Sequence, residues 1–236
     1  MAPRGSRRSA RVSVEQVPQL VLGIDTSTVV NVGVASGDHV LATATVDDPR
    51  AHVERLIPLV RQCLTESRRR LSDVEHLVVG MGPGPFTGLR VGIATAKILS
   101  TALGIRLHGV CSLDVIAAQY VADFRPADDF AVATDARRRE VYWACYAATG
   151  VRVSGPDVGS AEKVPSIPVV GPAVDISTHQ LSSVSGPRSL DPGVLAAVGL
   201  LLPTVGLEPL YLRRADATEP TRRKSVLVRR PGRPVR

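Results

Sequence analysis

Residues 130–155, FAVATDARRREVYWACYAATGVRVSG, read as an apolar strand running into Asp135, a second apolar strand, a glycine turn and a third strand. The same order opens the chain. LVLGI (20–24) leads into the turn DTST, VVNVGVA follows, Ser36-Gly37-Asp38 makes a tight turn, and HVLATATV (39–46) closes the unit. Asp25 and Asp135 therefore hold corresponding places, each just after a buried strand. A repeated strand–turn–strand–turn–strand unit with helices and strands after each copy predicts an α/β protein of two related lobes. A chain of 236 residues can hold both.

Between the copies the period changes. Residues 49–70 predict a helix whose stripe is Val53, Leu56, Ile57, Val60 and Leu64, with a kink at Pro58. A strand at 76–80, a Gly/Pro loop MGPGPFTG (81–88), and a helix from about Gly88 to Leu103 with Gly104 as its stop come next. A strand near 106–110 leads to a helix capped by Ser112. Residues 155–190 are rich in Pro, Ser and Gly, which predicts a reduced second lobe with loops in place of helices. A last helix at 191–203 and a short strand around PLYLR complete the order. The organisation predicted is a basic tail (1–19), lobe one (20–122), a smaller lobe two (123–214) whose last helix can pack back on lobe one, and a second basic tail (215–236).

Composition narrows the class. Apolar residues make up 44% and charged ones 22%, which excludes general disorder. No apolar run approaches the roughly 20 residues that span a bilayer, so no membrane association is predicted. The net charge of +7 suggests a nucleic-acid binder until it is located: residues 19–212 hold 16 basic and 19 acidic groups, and the excess lies in the tails. Only Lys97, Lys163 and Lys224 are lysines; a GC-rich genome or recognition of phosphate would each give this arginine bias. Cys63, Cys111 and Cys145 are widely spaced and odd in number, which suits a reducing cytoplasm. The basic start lacks the apolar core of a secretory signal; its Arg- and Ser-rich, acid-poor composition reads as a frayed or over-extended N-terminus in preference to a transit peptide.

The chemistry-bearing residues point away from several enzymes. The five histidines, at 39, 52, 76, 108 and 179, include no pair at i, i+3 or i, i+4, so no helix-borne metal pair is predicted. G-x-S-x-G is absent, and the loop at Gly82, Gly84 and Gly88 fits neither Walker A nor G-x-G-x-x-G. That loop either binds an anion at the following helix or simply shapes a tight turn. Asp25-Thr26-Ser27 could hold a hydrated metal beside ATP phosphates or serve as an Asx turn. The matching turn, Asp135-Ala136-Arg137, lacks glycine and would crowd a β-phosphate, so ATP binding across the pair reads as impaired. Gly88, Gly92, Ala96 and Ser100 form a row of small side chains four residues apart. The row admits close approach of either this protein's own sheet or a partner subunit.

GIDTST, the LIPLV helix, VGMGPGPFTGLRVGIATAK, DARRREVYWACY and the closing EPLYLRR, in that order, resemble the TsaB (YeaZ) family over residues 20–214. Pro85 departs from the serine usual in that family, and 155–190 matches poorly. The resemblance implies an actin-like (ASKHA, ribonuclease H-like) fold of two related lobes. It implies a non-catalytic dimerisation and activating subunit of the complex that forms N6-threonylcarbamoyladenosine at position 37 of tRNAs reading codons that start with A. Its partners are then a TsaD-like catalytic subunit and a TsaE-like ATPase, with homodimerisation when alone and tRNA reached only through the complex. No catalytic residue, metal or cofactor is implied. The family interface maps onto Val53, Leu56, Leu59 and Val60 with Gly88, Leu89, Gly92 and Ala96, and vestigial nucleotide contacts onto Asp25, Thr26, Ser27 and Asp135. The alternative is an active ATP-dependent phosphotransferase or a glycoprotease-like enzyme of the same superfamily.

Overall fold

The computed structural model describes residues 19–47, 52–176 and 180–213, with positions 52 and 53 as backbone only. Residues 1–18 and 214–236, which include all of the predicted tails (1–19 and 215–236) but Gln19, and the Val53 side chain, lie outside the described residues.

The opening meander forms as read. β1 (Leu20–Asp25), β2 (Val30–Ser36) and β3 (His39–Val46) pair antiparallel, with Leu20 opposite Ser36 and Asp25 opposite Asn31. Every side chain of β1, and all of β2 but Ser36, is buried. Burial on both faces is why these strands read as continuous apolar runs. β4 (His76–Gly80) lies parallel to β1, and β5 (Arg106–Val110) parallel to β4, giving the order β3-β2-β1-β4-β5.

Helices α1 (His52–Glu66) and α2 (Phe86–Leu103) pack on this sheet. The inward stripe of α1 is Leu56, Leu59, Val60, Cys63 and Leu64, and Ile57 is 40% exposed. This corrects the predicted stripe: Leu59 and Cys63 complete the i, i+3, i+4, i+7, i+8 face, and Ile57 falls beside it. Pro58 sits on the exposed side within one continuous helix. α2 ends at Gly104 in the left-handed conformation, φ 66°, as its sequence predicts.

The second copy repeats the topology of the first. β6 (Phe130–Arg137), β7 (Glu140–Tyr146) and β8 (Arg152–Ser160) form the antiparallel meander, with Asp135 opposite Val141. β9 (Val169–Val170) then lies parallel to β6, as β4 does to β1. The order β8-β7-β6-β9 thus matches β3-β2-β1-β4. Where lobe one has α1, lobe two has a single 3-10 turn at Ala161–Lys163. The fold is actin-like, with two related lobes and the second reduced.

Two helices fill the space between the sheets. α3 (Ser112–Phe124) packs on β6 and β7, and α4 (Pro192–Val198) packs on β1, β2 and β3. Val21 and Val78 of the first sheet, Ile116 of α3, Leu195 of α4 and Phe130 of the second sheet share one apolar layer. A boundary at 122/123 consequently falls inside α3. Asp114 ties that helix to the second sheet, accepting from Tyr146 Oη at 2.8 Å and pairing with Arg152 at 3.2 Å. α4 starts on Asp191, whose Oδ1 accepts from Gly193 N at 2.6 Å, with Pro192 in the first turn. It approaches so closely that a Cβ at Gly33 would run into the carbonyl of Pro192. The predicted strand around PLYLR is absent. Thr204 makes an isolated bridge to Val110, and Leu210 N donates to Met81 O at 2.8 Å; the flanking Pro203 and Pro209 have no N–H to extend a ladder. No helix among the described residues is long and apolar enough to cross a membrane.

Candidate functional site

The DTST turn is closed by its own surroundings. Asp25 is fully buried. Its Oδ1 accepts from Ser27 N at 2.9 Å and Ser27 Oγ at 2.7 Å, and its Oδ2 accepts from Ser112 Oγ at 2.5 Å. Burial pushes this carboxyl above the ordinary range, and the bonds from Ser112 and Ser27 pull it partly back. Ser112 Oγ also accepts from Gly82 N at 3.2 Å. The sequence predicts Ser112 as the cap of α3; the N-cap is instead Cys111, without a side-chain cap bond, and Ser112 is the first helical residue, its hydroxyl donating to Asp25.

The glycine loop packs on this turn. A Cβ at Gly80 would overlap the Asp25 carboxylate, and one at Gly84 would meet the backbone of Ser27. Thr26 Oγ1 donates to Gly88 O at 2.8 Å and accepts from Gly92 N at 3.2 Å. Thr26 and Ser27 are both buried. Of the two readings of the loop, the geometry is that of a tight turn seated on the first hairpin. Asp135 differs from Asp25 although the register is equivalent: it is exposed, and its Oδ1 accepts from Arg137 N at 2.8 Å. One acid of the pair is sealed and the other open, so the two turns do not make a matched site. Among the described residues no group of three His, Cys, Asp or Glu could hold a metal ion.

The residues mapped as an interface face inward. Leu56, Leu59 and Val60 of α1, and Leu89 and Ala96 of α2, belong to the core under the first sheet. Gly88 and Gly92 are buried, with Gly92 against Thr26. All seven are buried within this chain, and the exposed side chains of α1 and α2 lie on their outer faces. The small-residue row serves this chain's own packing.

The outer face of α2 carries a second row that the sequence reading passed over. Val91, Ala94, Thr95 and Ile98 follow i, i+3, i+4, i+7; Ala94 is exposed and Ile98 is 68% exposed, with Val91 and Thr95 half-buried. On α1, Ile57, Pro58 and Arg61 are exposed. At the start of α2 the Arg90 guanidinium lies 3.7 Å from the centroid of Phe86 and donates to Tyr211 Oη at 3.1 Å. Phe86 and Tyr211 pack with centroids 4.7 Å apart. Aromatic and arginine side chains of this kind, partly exposed, are typical anchors of protein interfaces.

The family model for TsaD, tRNA N6-adenosine threonylcarbamoyltransferase, matches residues 41–200. An uncharacterized protein of Mycobacterium tuberculosis is 43% identical over 203 residues, covering 84% of this chain and 93% of that protein. The tRNA threonylcarbamoyladenosine biosynthesis protein TsaB of Escherichia coli is 41% identical over 98 residues, 42% of each chain. Among solved structures, YeaZ from Pseudomonas aeruginosa superposes with a TM-score of 0.65 at 26% identity, covering 82% of this chain and all of that one. A second structure, described as having similarity to peptidase YeaZ from the same organism, gives 0.67 at 28% identity and covers 83% of this chain and all of that one. With the duplicated meander, the glycine loop and the closing EPLYLRR all in place, the chain belongs to the TsaB (YeaZ) family.

Proposed function

We propose that this protein is a non-catalytic subunit in the synthesis of N6-threonylcarbamoyladenosine at position 37 of tRNAs that read codons starting with A. It binds and activates a TsaD-like transferase in the cytoplasm, with a TsaE-like ATPase joining the pair, and it self-associates when that partner is missing. The observation that carries this reading is the outer row of α2, where Ala94 and Ile98 are exposed and Val91 and Thr95 half-buried, together with the exposed Ile57 on α1. The sealed Asp25 turn supports it, since a phosphate or metal would have to displace three hydrogen bonds to reach the carboxylate. The decisive experiment is co-purification with the TsaD-like subunit and assay of tRNA modification with and without this chain. Failure of the two to associate, or full transferase activity without it, overturns the reading.

A second reading, an ATP-dependent phosphotransferase or glycoprotease-like enzyme, is favoured by Asp25-Thr26-Ser27 and by the peptidase likeness in the description of one Pseudomonas structure. ATP turnover by the isolated chain, abolished by Asp25→Ala, would establish it; calorimetry showing no ATP binding would remove it.

A further inference from the structure

Residues 204–213 follow lobe two in the chain but lie along lobe one. Thr204 bridges antiparallel to Val110, and Val205 N donates to Gly109 O at 2.9 Å, on the open side of β5, the last strand of its sheet. The approach is close: a Cβ at Gly109 would run into the carbonyl of Gly206. Farther on, Leu210 N donates to Met81 O at 2.8 Å, and Val205 and Leu210 pack against the core of lobe one and the layer it shares with lobe two. Tyr211 rests on Phe86 and accepts from Arg90. Arg213 then leaves lobe one and ion-pairs with Glu140, the first residue of β7 in lobe two. Both side chains of the pair are half-buried, so salt screens it less than an open surface pair.

The lobes also meet in the first turn of α3, where two residues bond in opposite directions. Ser112 Oγ donates to Asp25 of lobe one, and Asp114 accepts from Tyr146 and pairs with Arg152 of lobe two. Both are buried. Tyr146 ends β7 and Glu140 begins it. Six steps of about 3.3 Å put roughly 20 Å of strand between the two contacts. The turn of α3 fixes the lobes at one place, and the ion pair acts at the far end of a long lever.

We propose that residues 204–213 are a clasp: anchored along lobe one and locked to lobe two by the Glu140–Arg213 pair, they hold the β6–β7 hairpin against the glycine-loop end of lobe one, and their release opens the lobes about the first turn of α3. Release starts at Arg213, because that end is held by one ion pair and the stacked Tyr211, whereas Thr204 and Val205 are joined to β5 through the backbone. The exposed Lys97–Glu208 pair at 3.6 Å adds little to the anchorage. Opening also lifts Tyr211 from Phe86 and Arg90, so the separation of the lobes and the exposure of that cluster change together. The clasp is a property of this chain alone and stands apart from the function proposed above.

The test compares the full chain with Glu140→Arg, Arg213→Glu and the double swap. Spin labels at Thr87→Cys on α2 and Asp157→Cys on β8, both exposed positions, report the separation of the lobes. Hydrogen exchange reports the two ends of the strap. Each single variant should lengthen and broaden the label distance. Leu210 N–H, near the lock, should exchange about tenfold faster while Val205 N–H keeps its rate. The double swap should restore both readouts. Arg213→Gln removes the charge without reversing it, so it should shift both in the same direction and serves where a reversed charge prevents folding. An unchanged distance in all three single variants overturns the proposal. So does a change that the double swap fails to reverse, or an acceleration at Val205 equal to that at Leu210, since the strap is then loosened as a whole and not released at its end.

Discussion

The hydroxyl of Thr26 bonds two backbone groups of helix α2 at once: Gly92 N–H donates to it at 3.2 Å while it donates to Gly88 O at 2.8 Å. A regular helix joins that carbonyl and that N–H directly. Here a side chain from the first hairpin reaches the same carbonyl and N–H, and Gly92 has no Cβ to obstruct it. The two glycines cost α2 roughly 1 kcal/mol each in helix propensity relative to alanine. The contact they permit fastens the β1–β2 turn, the glycine loop and the helix into one unit.

Gly92→Ala should therefore destabilise the protein by about 1–3 kcal/mol, because the added methyl overpacks against Thr26 and outweighs the gain in propensity. Thr26→Ala alone should cost about 1 kcal/mol for the lost buried hydrogen bonds. In the double variant most of the overpacking disappears, so urea unfolding should show a coupling of about 1–2 kcal/mol. Simple additivity of the two changes would mean that Thr26 is not what requires glycine at 92.

Asp25 sets a pH dependence. Its carboxyl is raised above 3.8 by burial, so the fold favours the neutral form. The stability associated with that preference is complete below the unfolded value and is lost as pH rises through the folded one. Asp25→Asn, which stays neutral, should match the unaltered protein most closely in acid and gain on it steadily toward neutral pH. Chemical denaturation across that range checks the sign; a difference that shrinks as pH rises would contradict it.

The two rows of α2 should separate stability from assembly. Ala94→Arg and Ile98→Glu lie on the outer face and should leave unfolding free energy within about 0.5 kcal/mol. Binding to the TsaD-like subunit should weaken by about 2 kcal/mol or more. Ala96→Leu, two positions from Ala94 but in the core, should reverse the pattern and lower stability by about 1–3 kcal/mol. Calorimetric titration beside thermal melts distinguishes these outcomes.

The cysteines should be silent in the native state. All three are buried and free. Burial and the nearby Glu66 raise the Cys63 thiol to about 11, and burial with Asp114 raises Cys111 to about 12. Little thiolate exists at these sites at pH 8. Maleimide labelling should proceed at Cys63 and Cys111 only on unfolding, with mass spectrometry locating the adducts.

The Asp25 cradle shows why part of the site was hidden from sequence reading. DTST is compatible with a metal-bearing turn and with a structural one, because local sequence does not say what will cover it. The cover comes from Ser112, 87 residues away, and from Gly80 and Gly84. Burial of that kind is a property of the assembled sheet order.

Local periodicity determined most of the elements and their duplication, the strand expected around PLYLR excepted. The period-2 and continuous apolar runs, the glycine turns and the Gly104 stop all act within a few residues, so they can be read without the fold. Tertiary structure decided which way each element faces. α2 carries two apolar or small rows, Gly88–Gly92–Ala96–Ser100 and Val91–Ala94–Thr95–Ile98, and helical spacing is satisfied equally by both. Only contact with Thr26 and the first sheet buries Gly88, Gly92 and Ala96 of the first and leaves Ala94 and Ile98 of the second exposed, since a row's destination depends on what approaches it. Likewise Asp25 and Asp135 share a register in the sequence repeat. The glycine loop exists over one and not over the other, and that difference seals one acid and leaves the other in water.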